Sequence, residues 1–249
     1  MFNNMLFLFC IGSIGGWILE LFFRRFTSEN KKWINPGYLV GPYLLLYGFG
    51  LNIFFLIARC QQYICISNAV VKKIVVILLM GAAATLLEYI TGLIFIKRLN
   101  VKLWDYSGEF GNVQGIICPL FSVLWTVLCA VYYLLIHFPL TELLKSISTN
   151  IYCVFFLGAF YGIFIVDLFY SGQILIKVRN FAKVNSITVK LEEWKESMIA
   201  LSDGYKKKRN FLFILPPPGK VRYSLTHFHK NYNENKKRSV FDIFKSRGK

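Results

Sequence analysis

The chain has 249 residues, of which 55% are hydrophobic, 17% aromatic and 17% charged, with a mean hydropathy of +0.49. Soluble domains carry about 25% charged residues, so this composition excludes an ordinary soluble protein and equally a disordered one. Six cysteines are too few for a disulfide-dense secreted module, and the formal charge of +16 points to nucleic acid only if it lies on a soluble surface.

A membrane helix needs about 20 mostly apolar residues. Five windows qualify: Met5 to Phe23, Tyr38 to Ala58, Ile74 to Ile96, Ile116 to Ile136 and Ile151 to Gly172. The predicted fold is therefore all-α: a polytopic membrane domain over residues 1–172, followed by a basic cytoplasmic tail over 173–249. The second window is the one open to being broken or re-entrant. No Lys or Arg precedes the first, and it runs into Arg24 and Arg25, so it reads as an anchor rather than a cleaved signal.

Placement of the basic residues sets the orientation. With five spans, loops one and three share a side with the tail, and that side carries 25 of the 29 basic residues. The positive-inside rule puts it in the cytoplasm and the N-terminus outside. The tail beyond Gly172 holds 18 basic and six acidic residues, so most of the net charge lies beneath the membrane. It reads as orientation and attraction to anionic inner-leaflet lipid, at about 1 kcal/mol per basic residue near the surface. No zinc-finger, RRM or basic-zipper signature supports nucleic acid.

Within the tail, Ile187, Leu191, Trp194, Met198 and Leu201 recur at helical spacing over residues 186–203, with Gly204 as a stop. Glu192, Glu193, Lys195 and Glu196 are read as lying mostly off that face. Such a helix can lie on the leaflet, dock on the membrane domain or pair with a second copy in a homo-oligomer. Lys206 to Arg209, beside Phe211 to Leu215, suits a leaflet surface, and Pro216 to Pro218 end any helix. From Lys220 onward a loosely ordered stretch is expected, with His227 and His229 solvated rather than metal-bound.

No phosphate-binding loop, H-E-x-x-H or G-x-S-x-G motif occurs, so the sequence points to no ATPase, catalytic residue, metal or cofactor. Gly12, Gly15 and Gly16 lie inside a span and are expected to permit close helix packing. Cys60 and Cys65 lie in an outer loop, and five residues apart on a helix they would point away from each other.

Intramembrane acids are costly and hence functional candidates. Glu88 is the deepest. Glu20 precedes Arg24 by four residues, the spacing of an ion pair. Asp167 lies near the inner end of the fifth span and reads more readily as structural. An internal repeat links the first two. Trp17 to Glu20, Trp33 to Asn35 and Val40 to Pro42 are echoed by Thr85 to Glu88, Trp104 to Tyr106 and Ile117 to Pro119. Two two-helix repeats in the same orientation would share a pseudo-twofold axis along the membrane normal and turn Glu20 and Glu88 toward one cavity. Trp33, Asn35, Trp104, Asp105 and Tyr106 would then lie at the inner interface, as aromatic anchors or as an inner gate.

Gly37 to Tyr43 with Tyr47 to Gly50, then Leu87 to Gly92, Trp104 to Ser107, Ile117-Cys118, Ser122 and Trp125, resemble the two-part signature of a family of bacterial membrane proteins. That family is labelled putative ABC transporter type IV, or putative ABC transporter permease. The resemblance covers roughly residues 5–137. It implies a membrane transport component with Glu88, Glu20, Tyr43 and Tyr47 along a substrate or ion path, and a separate ATPase subunit as partner. Pro36 and Ile116 depart from the family pattern, which places basic residues there. The alternative reading is a non-transport scaffold or regulator acting through the basic tail.

Overall fold

The computed structural model describes residues 2–27, 33–204 and 215–230. It is built almost entirely of helices: α1 (Phe2–Thr27), α2 (Leu45–Cys60), α3 (Ala69–Ile94), α4 (Pro119–Val131), α5 (His137–Ile147), α6 (Ile151–Val184), α7 (Leu191–Gly204) and α8 (221–230). A π-helical turn over Phe95–Leu99 extends α3, and another over Tyr132–Ile136 joins α4 to α5. Local chemistry sets several boundaries. Asn68 and Asn150 accept hydrogen bonds from the first free amides of α3 and α6, and Pro119 starts α4, where its missing N–H costs nothing.

Among the described residues, four continuous helices are long and apolar enough to cross a membrane: Phe2–Phe26, Ala69–Leu99, Pro119–Ile147 and Ile151–Val184. Their outward faces are apolar, as lipid demands. On α6, Ile151, Phe155, Phe156, Ile163, Val166 and Phe169 are all exposed.

The window from Tyr38 to Ala58 is not one helix. Its helical part, α2, has 16 residues, a rise of about 24 Å against a hydrocarbon core of about 30 Å. Residues 37–44 are irregular. Gly37 holds a φ of +76°, which disfavours any residue with a Cβ, and Pro42 removes an amide. Backbone of this kind is tolerated beside lipid only where protein satisfies it. Asp167 of α6 does so. Its carboxylate accepts from the amides of Val40 (3.3 Å) and Gly41 (2.7 Å), from the Tyr43 hydroxyl (2.6 Å) and from Ser171 (2.7 Å).

Helix α1 packs along α2, α2 against α3, and α3 along α4. Glycines make these approaches close. A Cβ on Gly12 would lie 2.8 Å from the carbonyl oxygen of Tyr47, and one on Gly81 or Gly92 would strike Thr126 or Ile116. Gly12 thus packs as its sequence suggested, whereas a Cβ on Gly15 would meet open space. The buried stripe of α3 is Val76, Met80, Ala84, Glu88 and Gly92, five residues four apart. Glu88 is buried because it lies on the inward face of its helix.

Helix α6 continues unbroken past Gly172 to Val184, about 51 Å at 1.5 Å per residue. Its last turns enter a second core, where Ile174, Val178 and Ala182 meet Ile34, Val101, Val189, Leu191, Trp194, Met198, Val221 and Leu225. A parallel two-residue pairing, Val101–Lys102 (β1) with Val189–Lys190 (β2), ties the tail to the segment after α3. Of the three placements open to the tail helix, docking on the rest of the chain is the one seen.

Two tail expectations are corrected. The stretch after Lys220 is helical over 221–230, with Val221 and Leu225 wholly buried, because these residues close the second core. Lys195 is buried too, at 3% exposure. It follows Leu191 by four residues and precedes Met198 by three, so it belongs to the packed face. The run from Lys206 to Arg209 and the patch from Phe211 to Ile214 lie outside the described residues, as do Lys31 and Lys32.

Candidate functional site: a cavity with two carboxylates

A cavity of about 460 Å³ opens among α1, α2, α3, α4 and the segments preceding α2 and α4. Glu20, Glu88, Tyr43, Tyr47, Trp104, Asp105 and Tyr106 all line it. Trp33 and Asn35 do not. The Trp33 indole stands outside, with the Arg25 guanidinium 5.6 Å over its ring and Phe22 against its edge. Asn35 is buried behind the wall, where it accepts from Trp17 Nε1 (2.7 Å) and donates to the carbonyls of Leu39 and Val40. It braces the irregular segment.

The two glutamates are held in different ways. Glu20 accepts from Arg24 Nε at 2.8 Å and from the Tyr47 hydroxyl at 2.8 Å. The i, i+4 pair expected from spacing forms, and the same guanidinium reaches Glu192 of α7 through Nη1 at 2.9 Å. Glu88 accepts from the Tyr106 hydroxyl (3.1 Å) and from Trp125 Nε1 (3.0 Å). Both partners are neutral, and among the described residues Glu88 forms no ion pair. The indole N–H can only donate, so Oε2 is always an acceptor. The Tyr106 hydroxyl can donate to Oε1 or accept from it. The pocket therefore suits Glu88 in either protonation state.

The rings are fixed by one another. Tyr106 stacks on Phe121 at 4.2 Å, and Tyr47 leans on Trp125 at 5.2 Å. Trp104 donates to the Ile116 carbonyl at 2.8 Å. Tyr47 and Trp125 also line a second, apolar cavity of about 290 Å³, with Gly12, Gly16, Phe54 and Tyr132. The Tyr47–Trp125 contact thus stands between the two spaces.

Asp105 anchors the tail side. Burial raises its affinity for a proton, but hydrogen bonds from Ser107, Lys102 and Lys190 outweigh that and hold it well below the usual carboxylate range. Lys190 of β2 approaches it at 3.2 Å and also pairs with Glu193 at 2.9 Å. Lys195 donates to the carbonyls of Asn35 (2.8 Å) and Gly37. The Lys195 nitrogen of the tail thus sits on the carbonyls either side of Pro36, one of the two positions that depart from the resembled pattern. At the other, the Ile116 side chain packs against Gly92.

A family model described as Putative ABC-transporter type IV matches residues 7–172, two thirds of the chain. The chain belongs to that family. The match runs past the limit of about residue 137 that the motifs alone suggested, taking in Asp167 and most of α6, and it ends before the tail core. Family membership and the four long apolar helices make this a membrane protein. No curated protein and no solved structure matches the chain.

Some site residues were not singled out from the sequence for these roles. Trp125 figured only as part of the family motif, yet it is a direct donor to Glu88. Arg24 was assigned to Glu20 alone, and Glu192 had no assigned partner. The available signal for Trp125 was a polar-edged aromatic deep in an apolar window, which needs an acceptor when buried.

Proposed function

We propose that the protein is the membrane-embedded component of a transport system, and that the cavity lined by Glu20, Glu88, Tyr43 and Tyr47 lies on its substrate or ion path. The observation that carries this reading is that two carboxylates from separate helices face one cavity, one of them held by neutral donors only. The chain would cross the membrane five times, α2 and the braced segment before it making one crossing, with the N-terminus outside and the tail in the cytoplasm.

The α1–α2 and α3–α4 pairs act as two repeats. In each, the acid on the first helix receives a ring donor from the second: Tyr47 for Glu20, Trp125 for Glu88. Trp104, Asp105 and Tyr106 form the inner gate, with Trp33 and Asn35 supporting it from outside the cavity. Energy comes from a separate ATPase docking on the cytoplasmic face, or from an ion moving through Glu88. The basic tail adds contact with anionic lipid.

The test is flux through Glu88→Gln in proteoliposomes. Loss of about 3 kcal/mol of differential stabilisation corresponds to a rate reduced by about a hundredfold. Unchanged flux in a folded variant removes Glu88 from the path. A second reading, a scaffold or regulator working through the tail, is favoured by the Arg24–Glu192 pair. Truncation after Val184 separates the two. Retention of an ATPase partner supports transport, and loss of every partner supports the scaffold.

A further inference from the structure

We propose that the inner cavity binds an organic cation, seated against the Glu88 carboxylate and between aromatic faces. This deepens the transport reading and rests on it for the identity of the path, though the binding itself is testable alone.

Charge comes first. The acids lining the cavity are Glu20, Glu88, Asp105 and Glu192. Arg24 serves both Glu20 and Glu192, and Lys102 and Lys190 hold Asp105. Glu88, 3% exposed, is the one with no cationic partner among the described residues. An ionised carboxylate left without a counter-charge is costly at membrane depth, and a bound cation supplies the positive charge that a proton otherwise supplies.

The walls decide what kind of cation. Tyr47, Trp104, Tyr106, Phe121 and Trp125 line the same cavity as Glu88, and Tyr106 and Trp125 touch its carboxylate. Aromatic faces attract cations, most strongly when water is excluded. A bare metal ion asks instead for several hard oxygen ligands, and the described residues hold no group of three or more His, Cys, Asp or Glu able to clasp one. A sugar or other neutral polar solute would require many open hydrogen-bonding groups, whereas much of the polar lining is already engaged: Tyr43 by Asp167, Thr91 by the Leu87 carbonyl, Trp104 by the Ile116 carbonyl, and Tyr47 by Glu20. The volume of about 460 Å³ lies within the range for small-molecule sites.

The experiment uses the purified full chain in nanodiscs and two probes of matched shape and opposite charge, tetraphenylphosphonium and tetraphenylborate. Quenching of tryptophan fluorescence and calorimetry report binding. Saturable phosphonium binding, no displacement by the borate, and at least a tenfold weakening in Glu88→Gln are expected, with Glu88→Asp recovering part of the affinity. Equal binding of the two probes by the unaltered chain, or undiminished phosphonium binding in a folded Glu88→Gln, overturns the proposal. If the glutamine variant does not fold, the opposite-charge comparison on the unaltered chain decides alone. Phosphonium binding without flux would leave the cation site standing and remove the transport reading. Flux of another solute with no phosphonium binding would do the reverse.

Discussion

Replacing Asp167 with alanine isolates the device that holds the irregular segment before α2. The carboxylate receives four donors, at 3.3, 2.7, 2.6 and 2.7 Å. Two of the donor residues, Tyr43 and Ser171, are essentially buried. Each buried donor left unsatisfied costs about 1–3 kcal/mol. Ser171 can turn its hydroxyl back to its own helix, and these losses do not simply add. The net cost is about 3–5 kcal/mol, in line with removing one partner from a buried polar network. For a chain of this size each kcal/mol moves the melting point by about 2–4 °C, so Asp167→Ala should melt about 6–20 °C lower. Asp167→Asn keeps one acceptor oxygen but turns an N–H₂ group toward other donors, so it should fall between. Thermal unfolding of detergent-solubilised protein gives the size, and hydrogen exchange over residues 38–44 gives the location. An Asp167→Ala protein that melts within a degree or two of the unaltered chain, with the Val40 and Gly41 amides still protected, would refute the claim that this carboxylate supports that backbone.

Other outcomes follow from the packing and the tail. Gly12→Ala places a Cβ against a backbone oxygen at 2.8 Å and should cost about 1–3 kcal/mol in thermal unfolding, whereas Gly15→Ala, with open space around it, should stay within about 0.5 kcal/mol. Trp194, fully buried and donating to Ser224 at 3.0 Å, anchors the second core. Trp194→Ala should cost about 3–5 kcal/mol, seen as protease cleavage in the tail while the membrane helices remain intact. Burial first, and Arg24 second, push the Lys195 ammonium down from 10.5 to about 7. Between those values the unfolded tail holds a proton that the docked one has shed. Docking should therefore be weakest below pH 7 and strengthen as pH rises toward 10. Hydrogen exchange of α7 across that range reads the slope, and Lys195→Met should flatten it.

The long helices were legible because an apolar window of about 20 residues has few other outcomes. Glu20 with Arg24 was legible because four residues on a helix is one turn. The break before α2 was half legible. Gly37 and Pro42 disfavour a helix there, but the partner that stabilises the break is Asp167, 127 residues beyond Val40. Trp33 and Asn35 illustrate the limit of a repeat argument. They match Trp104 and its neighbours in sequence, yet Trp104 lines the cavity while Trp33 stands outside it. The tail helix begins at Leu191 rather than at 186, because Val189 and Lys190 pair as β2 and leave Ile187 outside it; of the expected face, Leu191, Trp194 and Met198 are buried, and Lys195 lies among them. Neither π-helical turn nor the β1–β2 pairing carries a local signal, since each is decided by contacts remote in sequence.

The β1–β2 pairing joins residues 88 positions apart, and the core around it draws on Ile34, Val101, the end of α6, α7 and α8. None of these pieces can bury itself alone. The core closes only once these pieces, drawn from residues 34 to 225, have come together. A chain in which α6 or the segment after α3 is misplaced would leave Trp194, Met198 and Val221 bare to proteases. A closed tail core thus marks a molecule in which the segment before α2, the segment after α3 and the end of α6 have already met.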